Sequence, residues 1–160
     1  MRQSLHELAA LYQDSLFAAA FNICRNAQDA EDVIQDTFVQ YYTTKKEFEN
    51  EQHIRAWLLR VAINKAKNVT RTFWRRNKIS MEDYMETLTF DTPESETLFE
   101  TVMQLPEKYR IAIHLYCYED YAVREIADIL KLSESNVKTR LSRGRAMLKK
   151  ELKEEWDDDK

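Results

Sequence analysis

Two stretches of this chain carry the residue types that bind anions, and both are free of acids. Residues 54–78 hold eight bases (Arg55, Arg60, Lys65, Lys67, Arg71, Arg75, Arg76 and Lys78) and no aspartate or glutamate. Residues 135–150 hold six more bases and again no acid. The remainder leans the other way: residues 1–51 carry nine acids against four bases, and the tail from Glu151 to Lys160 is acidic. The net charge of −4 over 160 residues therefore hides strong segregation. A solvated helix face ordinarily mixes both signs. Two separate acid-free runs point to two surfaces for nucleic acid and leave the acidic faces for a protein partner.

Catalytic chemistry has little to work with. His6, His53 and His114 are scattered, and there is no HExxH, EF-hand loop or Gly-rich phosphate loop. No nucleophile–base pair stands out, so no enzymatic role, metal or cofactor is expected. Cys24 and Cys117 lie in apolar stretches without CxxC spacing and are expected to be buried, reduced thiols. No apolar run approaches the roughly 18 to 20 residues that span a bilayer. The first ten residues lack a signal-peptide core. The expectation is a cytoplasmic protein with no membrane insertion.

The elements that must position the basic runs are helices. Glycine occurs once and proline twice, which leaves little material for hairpin turns. The fold class expected is all-α, as two small helical domains joined by an acidic linker. Ser4-Leu5-His6-Glu7 reads as a capping box that opens a helix to about Arg25. Asp29 is the expected cap of a second helix, to about Lys45. Lys46–Gln52 reads as a loop, and a long helix is expected over His53–Arg76. The helical rhythm fails over residues 77–92, where Glu82, Asp83, Glu86 and Asp91 mark the linker. Thr92-Pro93 and Leu105-Pro106 each restart a helix with proline at its first position. The domain boundaries expected are 1–76, 77–92 for the linker, 93–152, and an acidic tail over 153–160.

Tyr121–Arg145 has the pattern of a helix-turn-helix. Ile126, Ala127 and Leu130 share one side of a helix over about Val123–Leu130. Leu132 occupies the turn, Ser133 caps the next helix to about Lys150, and Val137, Leu141, Gly144 and Leu148 share its inner face. Such a motif lays its second helix in the DNA major groove. The opposite face offers Ser135, Lys138, Thr139, Ser142 and Arg143 to base edges or phosphates, with Arg140, Arg145, Lys149 and Lys150 beside them.

On the helix over residues 53–76, Arg60, Asn64, Lys67, Asn68, Arg71 and Arg75 fall within an arc of about 100°. Ile54, Leu58, Val61, Ala62 and Val69 take the adjoining arc, and Trp57 lies at the border. A basic, amide-bearing stripe with an aromatic at its edge suits single-stranded DNA; for Trp57 a place in the core is the competing reading.

Leu105-Pro106-Glu107-Lys108-Tyr109-Arg110, Glu125-Ile126-Ala127 and Val137–Arg145 together resemble region four of extracytoplasmic-function sigma factors, which reads the minus-thirty-five promoter element. Asp29–Phe38 followed by Arg55–Ala62 is similar to region two of the same family. The resemblance implies a non-enzymatic RNA polymerase subunit. Its minus-thirty-five contacts fall on Lys138, Thr139, Ser142 and Arg143, within the set Ser135, Lys138, Thr139, Arg140, Ser142 and Arg143. Its minus-ten, non-template-strand contacts fall on Asn64 and Asn68, within the set Trp57, Arg60, Asn64, Lys67, Asn68 and Arg71. A flipped base is implied in a pocket formed partly by Lys46–His53. The resemblance also implies that Asp32, Gln35 and Asp36 dock on the clamp coiled coil of the polymerase beta-prime subunit. Partners implied are core RNA polymerase, including its beta flap, promoter DNA and an anti-sigma factor. Two departures stand out: Lys131 sits where the family usually has glycine, which strains the turn, and Gly144 replaces a common alanine at a helical cost of about 1 kcal/mol.

Other classes fit less well. A response regulator resembles the chain from Glu125 to Arg140, but its receiver domain needs parallel strands, and residues 1–76 contain neither glycine nor proline. A helical protein-interaction adaptor leaves two acid-free basic runs unexplained.

Overall fold

The computed structural model describes residues 4–73 and 92–158, and among them the fold is all-helical, as expected. The helices are α1 (Leu5–Cys24), α2 (Ala27–Thr43), α3 (Glu51–Phe73), α4 (Pro93–Met103), α5 (Glu107–Ile113), α6 (Val123–Leu130) and α7 (Glu134–Asp158). A π-helical turn, His114–Tyr118, continues α5. The expected linker lies, Thr92 apart, outside the described residues.

Local chemistry sets the helix ends. Ser4 Oγ accepts the Glu7 N–H at 3.2 Å, as the capping pattern requires. Arg25 stops α1 by adopting the left-handed region at φ 57° and donating its N–H to the Phe21 carbonyl. The cap of α2 is Asn26 and not Asp29: Asn26 Oδ1 accepts the Asp29 N–H at 2.9 Å. Asp29 sits in the first turn, and burial, then the neighbouring Asp32, raise its carboxyl pKa. Helix α3 starts two residues before the expected His53 because Asn50 caps it, its Oδ1 accepting the His53 N–H at 2.8 Å. Pro93 opens α4 as expected, whereas Pro106 takes the cap position before α5. Ser133 Oγ caps α7 through the Asn136 N–H at 3.0 Å. Helix α7 runs on to Asp158, through the segment expected to be a separate tail, since no glycine or proline interrupts it there.

Helices α1, α2 and α3 pack on one another around Leu8, Leu16, Phe21, Ile54, Leu58 and Ile63, all inaccessible to solvent. Helices α5, α6 and α7 enclose Ile111, Ile113, Leu115, Ile126, Val137 and Leu141. The two groups are in contact: α5 and the π turn lie against α1, and α6 lies against α3. The buried side chains form one continuous apolar cluster.

The turn of the helix-turn-helix carries the strain its sequence implies. Lys131 sits at φ 56°, ψ 51°, a left-handed conformation that a Cβ disfavours. The Ala127 carbonyl accepts the Leu132 N–H at 2.9 Å and closes the turn. Gly144 is explained by packing. A Cβ built there would lie 2.5 Å from Ile113 Cδ1 and 3.3 Å from Ile113 Cγ1 and Tyr109 Cβ, so alanine would require the Ile113 side chain to swing aside and Tyr109 to give by a few tenths of an ångström.

The cysteines differ from each other. Cys24 is half-buried, and burial pushes its thiol up to about 12, Thr70 and Arg110 pulling the other way. Cys117 is exposed, contrary to the expectation of a buried thiol. His114 and Leu115 fill the inward side of the π turn, and the next three residues rotate into solvent.

Candidate nucleic-acid interface

Helix α7 presents its polar face outward because Val137, Leu141 and Gly144 hold the opposite face against the neighbouring helices. Ser135, Lys138, Thr139, Ser142 and Arg143 are exposed, and Arg140 is half-buried. Arg140 Nε donates to Asn136 Oδ1 at 3.1 Å, which fixes the plane of its guanidinium one turn above an exposed amide. Thr139 Oγ1 donates back to the Ser135 carbonyl at 3.0 Å, so its oxygen remains an acceptor. Arg143 reaches the Tyr109 hydroxyl. Burial raises that phenol's pKa, and Arg143 and Lys108 together more than offset it, leaving a net lowering. Arg145 stacks its guanidinium 4.8 Å from the centre of the Tyr116 ring. Asn136 and Tyr109, which orient two of the arginines, were not among the expected site residues. Asn136 carries a sequence signal, one turn before Arg140, while Tyr109 comes from another helix.

On α3 the expected stripe is partly available. Asn64 and Asn68 are exposed and Lys67 is half-buried. Arg60 is engaged elsewhere: its Nη2 donates to the Asp128 carbonyl of α6 at 2.8 Å. The side chain of Arg71 lies outside the described residues, as does Arg75. Trp57 is a core residue here, 9% exposed, and is not placed to stack on a base. Its ring meets Phe48 at 5.5 Å and Tyr41 at 6.2 Å, both edge-on. Phe48, 2% exposed, is inserted from the loop that precedes α3, so this aromatic cluster pins the loop to the bundle. His53 Nδ1 accepts the Glu49 N–H at 3.1 Å and ties the loop's end to α3.

Asp32, Gln35 and Asp36 are exposed on one face of α2, while Val33, Ile34, Thr37 and Tyr41 are buried behind them. Gln28 Nε2 donates to Asp32 Oδ1 at 3.3 Å. The same face continues through Val39 and Tyr42, 60% and 71% exposed. Those two were missed because an apolar residue in a helix reads as core by default.

The arrangement therefore offers a helix-turn-helix with a basic outer face, a second basic helix with exposed amides, and an acidic helix face. Comparison with known proteins agrees. Residues 8–78 match the model for Sigma-70 region 2, and residues 95–148 match that for Sigma-70, region 4. The ECF RNA polymerase sigma factor SigW of Bacillus subtilis is 26% identical, with 92% of this chain and 88% of that protein covered. The ECF RNA polymerase sigma-E factor of Salmonella typhimurium is 30% identical over 73% of this chain and 70% of its own length. Among solved structures, the sigma factor RpoE in complex with the anti-sigma factor NepR from Bartonella quintana shares the fold. Its TM-score is 0.73 at 22% identity, over 92% of this chain and 96% of that one. CnrH in complex with the cytosolic domain of CnrY matches at a TM-score of 0.68 and 27% identity, over 93% and 87% of the two chains. The chain belongs to the extracytoplasmic-function family of RNA polymerase sigma factors, which direct promoter-specific transcription initiation. No helix among the described residues is long and apolar enough to cross a membrane.

Proposed function

We propose that α7 reads the minus-thirty-five element with Lys138, Thr139, Arg140, Ser142 and Arg143, with Ser135 at its N-terminal edge. The α3 stripe of Arg60, Asn64, Lys67, Asn68 and Arg71 takes the melted non-template strand of the minus-ten element. The single observation that carries the reading is the exposed, acid-free face of α7, on which Asn136 holds the Arg140 guanidinium and Arg143 stands exposed beside Tyr109. Guanidinium forks so held match the paired acceptors of guanine in the major groove. In this reading Trp57 acts from beneath, holding the loop over residues 44–50 through Phe48 and Tyr41.

The acidic face of α2 is proposed to dock on core polymerase at the beta-prime clamp coiled coil, and the α4–α7 unit to meet the beta flap. A carboxylate-bearing face repels phosphates and attracts arginines, which supports a protein partner there. A cytoplasmic anti-sigma factor is the remaining proposed partner. Support comes from the structural neighbour RpoE of Bartonella quintana, whose structure is of a complex with the anti-sigma factor NepR.

Run-off transcription with core polymerase on a promoter library, followed by footprinting, tests the assignment. Arg143→Ala and Lys138→Ala should each cost roughly 1 to 3 kcal/mol on preferred promoters and relax the preference at one base. Lys149→Ala should weaken all promoters about equally. Unchanged base preference in both α7 variants would remove the base-reading claim.

A further inference from the structure

The π turn His114–Tyr118 closes with the Glu119 N–H on the His114 carbonyl at 3.2 Å, five residues back. Such single turns are rare and recur at functional sites. His114 and Leu115 are buried, while Tyr116, Cys117 and Tyr118 face solvent. The two tyrosines are used differently. Tyr118 stacks on His114 of its own turn, with ring centres 5.7 Å apart. Tyr116, 38% exposed, lies instead under a residue of another helix: the Arg145 guanidinium of α7 sits 4.8 Å from its ring centre.

Arg145 is exposed, and among the described residues no carboxylate pairs with it. An arginine that stacks by its face keeps its N–H donors for another ligand, because the ring attracts the cation without accepting its hydrogens. The stack also holds a long side chain in one plane before the ligand arrives, which lowers the cost of ordering it on binding. The neighbours define the charge of that ligand. Arg145 and Lys149 continue the edge of α7 that Lys138 begins, all three within an arc of about 40°. Residues 135–150 contain no acid. This edge runs beside the outward face of Ser135, Thr139 and Ser142. An edge of cations flanking a helix laid in the major groove meets the phosphates of the groove's wall.

We propose that Arg145 binds a backbone phosphate of the minus-thirty-five DNA and that Tyr116 is its positioning residue, the π turn presenting that ring to α7. The assignment rests on the placement of α7 in the major groove. Neither residue carries base information. They fix the register in which the other side chains of α7 read.

Phosphate ethylation interference on the holoenzyme, core polymerase with the full chain, tests both parts on a promoter fragment selected from the library. In wild type, ethylation of a phosphate at the edge of the minus-thirty-five element should weaken binding. In Arg145→Ala that one interference should vanish while the others stay. Affinity should fall by the same factor for every promoter, roughly 10-fold, as for the loss of one charge-assisted hydrogen bond. The slope of log affinity against log salt should become shallower by about 0.9. Tyr116→Phe keeps the ring and should retain affinity to within about twofold. Tyr116→Leu keeps the bulk without the π face and should lose roughly 2- to 5-fold, the worth of an exposed cation–π pair. Added to Arg145→Ala, Tyr116→Leu should cost nothing further, since the ring has no cation left to hold. An equal loss in both backgrounds would reduce Tyr116 to a support of the fold and overturn its positioning role. A shifted base preference in Arg145→Ala, or a wild-type interference pattern and salt slope, overturns the phosphate contact. Lys138→Ala, assayed alongside, keeps the two readings apart. If its base preference is unchanged while Arg145→Ala loses its phosphate, base reading by Lys138 fails and the phosphate contact stands.

Discussion

Gly144 of α7 and Ile113 of α5 are fitted to each other: a Cβ on the glycine would lie 2.5 Å from Ile113 Cδ1. The glycine sacrifices about 1 kcal/mol of helix propensity relative to alanine. Gly144→Ala should therefore gain propensity and lose packing, with a net loss of about 1 kcal/mol. Ile113→Val removes the clashing carbon, so the double variant should recover most of that loss. Urea denaturation of the four proteins gives the coupling energy, expected near 1 kcal/mol in favour of the pair. Additive effects would show that the approach of α5 and α7 is not tight.

The left-handed Lys131 offers a simpler test. Its backbone at φ 56° suits glycine, and its exposed side chain makes no contact that the turn depends on. Lys131→Gly should stabilise the protein by about 0.5 to 1 kcal/mol, raising Tm by roughly 1 to 4 °C. A lower Tm would mean that the flexibility gained by the unfolded chain outweighs the strain relieved.

What the amino-acid order made legible was whatever a single helix determines. Periodicity placed α1, α2, α3 and α7 and the exposed faces of Asp32, Asn64 and Arg143, because each needs only one helix and its solvent. The starts of α2 and α3 shifted by two or three residues where a competing cap stood nearby, as with Asn26 ahead of Asp29. Trp57 sat at a face border, and only the arrival of Phe48 from the loop decided that it is core. The contacts between the two groups of helices were illegible for the same reason. Arg110 lies 88 residues from Asn22, whose carbonyl it bonds, Ser15 lies 104 residues from Glu119, to which it donates, and no local pattern pairs them. Arg60 looked free on a helical wheel and is bonded to a helix 68 residues later.

The Glu119 carboxyl accepts from Ser15 Oγ at 2.6 Å and from Arg55 Nη2 at 3.3 Å, with His114 Nε2 at 3.3 Å from its other oxygen, and makes the junction of the π turn with α1 and α3 acid-sensitive. Burial raises its pKa, but hydrogen bonds from His114 and Ser15, with the charges of His114 and Arg55, lower it below the ordinary value of 4.5 overall. A depressed carboxyl contributes stability above its unfolded pKa and loses it as pH falls through the folded value. The facing groups are Ser15 on α1, Arg55 on α3, His114 on the π turn and the Tyr121 ring; Asp120 beside it is exposed. Scattering from wild-type protein should report a compact chain at pH 6 to 7 and an expanded one as pH drops below the ordinary carboxylate range of about 4. Glu119→Gln should flatten that dependence. An equally steep transition in the variant would assign the acid sensitivity to other carboxylates.

Phe48 links packing to promoter opening. Phe48→Ala removes a buried ring that meets Tyr41 at 5.6 Å and Trp57 at 5.5 Å, and should cost about 3 to 4 kcal/mol of stability. The loop it pins, residues 44–50, should then lose its fixed position against α3. Below the melting transition the variant should still bind core polymerase, through α2, yet give less permanganate-reactive thymine in the melted region. Wild-type reactivity would detach this loop from strand capture.

The last prediction concerns the α2 face, where charge and apolar surface adjoin. Asp32, Gln35, Asp36 and Val39 follow helical spacing, and Tyr42 lies one turn further at 71% exposure. An exposed tyrosine and valine beside two carboxylates form the mixture that protein interfaces favour: an aromatic anchor with a charged rim. The two parts should act differently. Asp32→Lys with Asp36→Lys should cost several kcal/mol of polymerase affinity, because like charges would face an arginine-bearing partner, and the association rate should fall most. Tyr42→Ala should cost about 2 kcal/mol, chiefly through faster dissociation, and its effect should persist at high salt where the charge effect fades. Neither change touches the core, since all of these side chains are exposed, so helical content and Tm should hold within error. Surface plasmon resonance against immobilised core polymerase at two salt concentrations separates the contributions. Wild-type affinity in the charge-reversal variant would place the docking face elsewhere. A salt-dependent loss in Tyr42→Ala would show that the tyrosine acts through its charged neighbours and not as an apolar anchor.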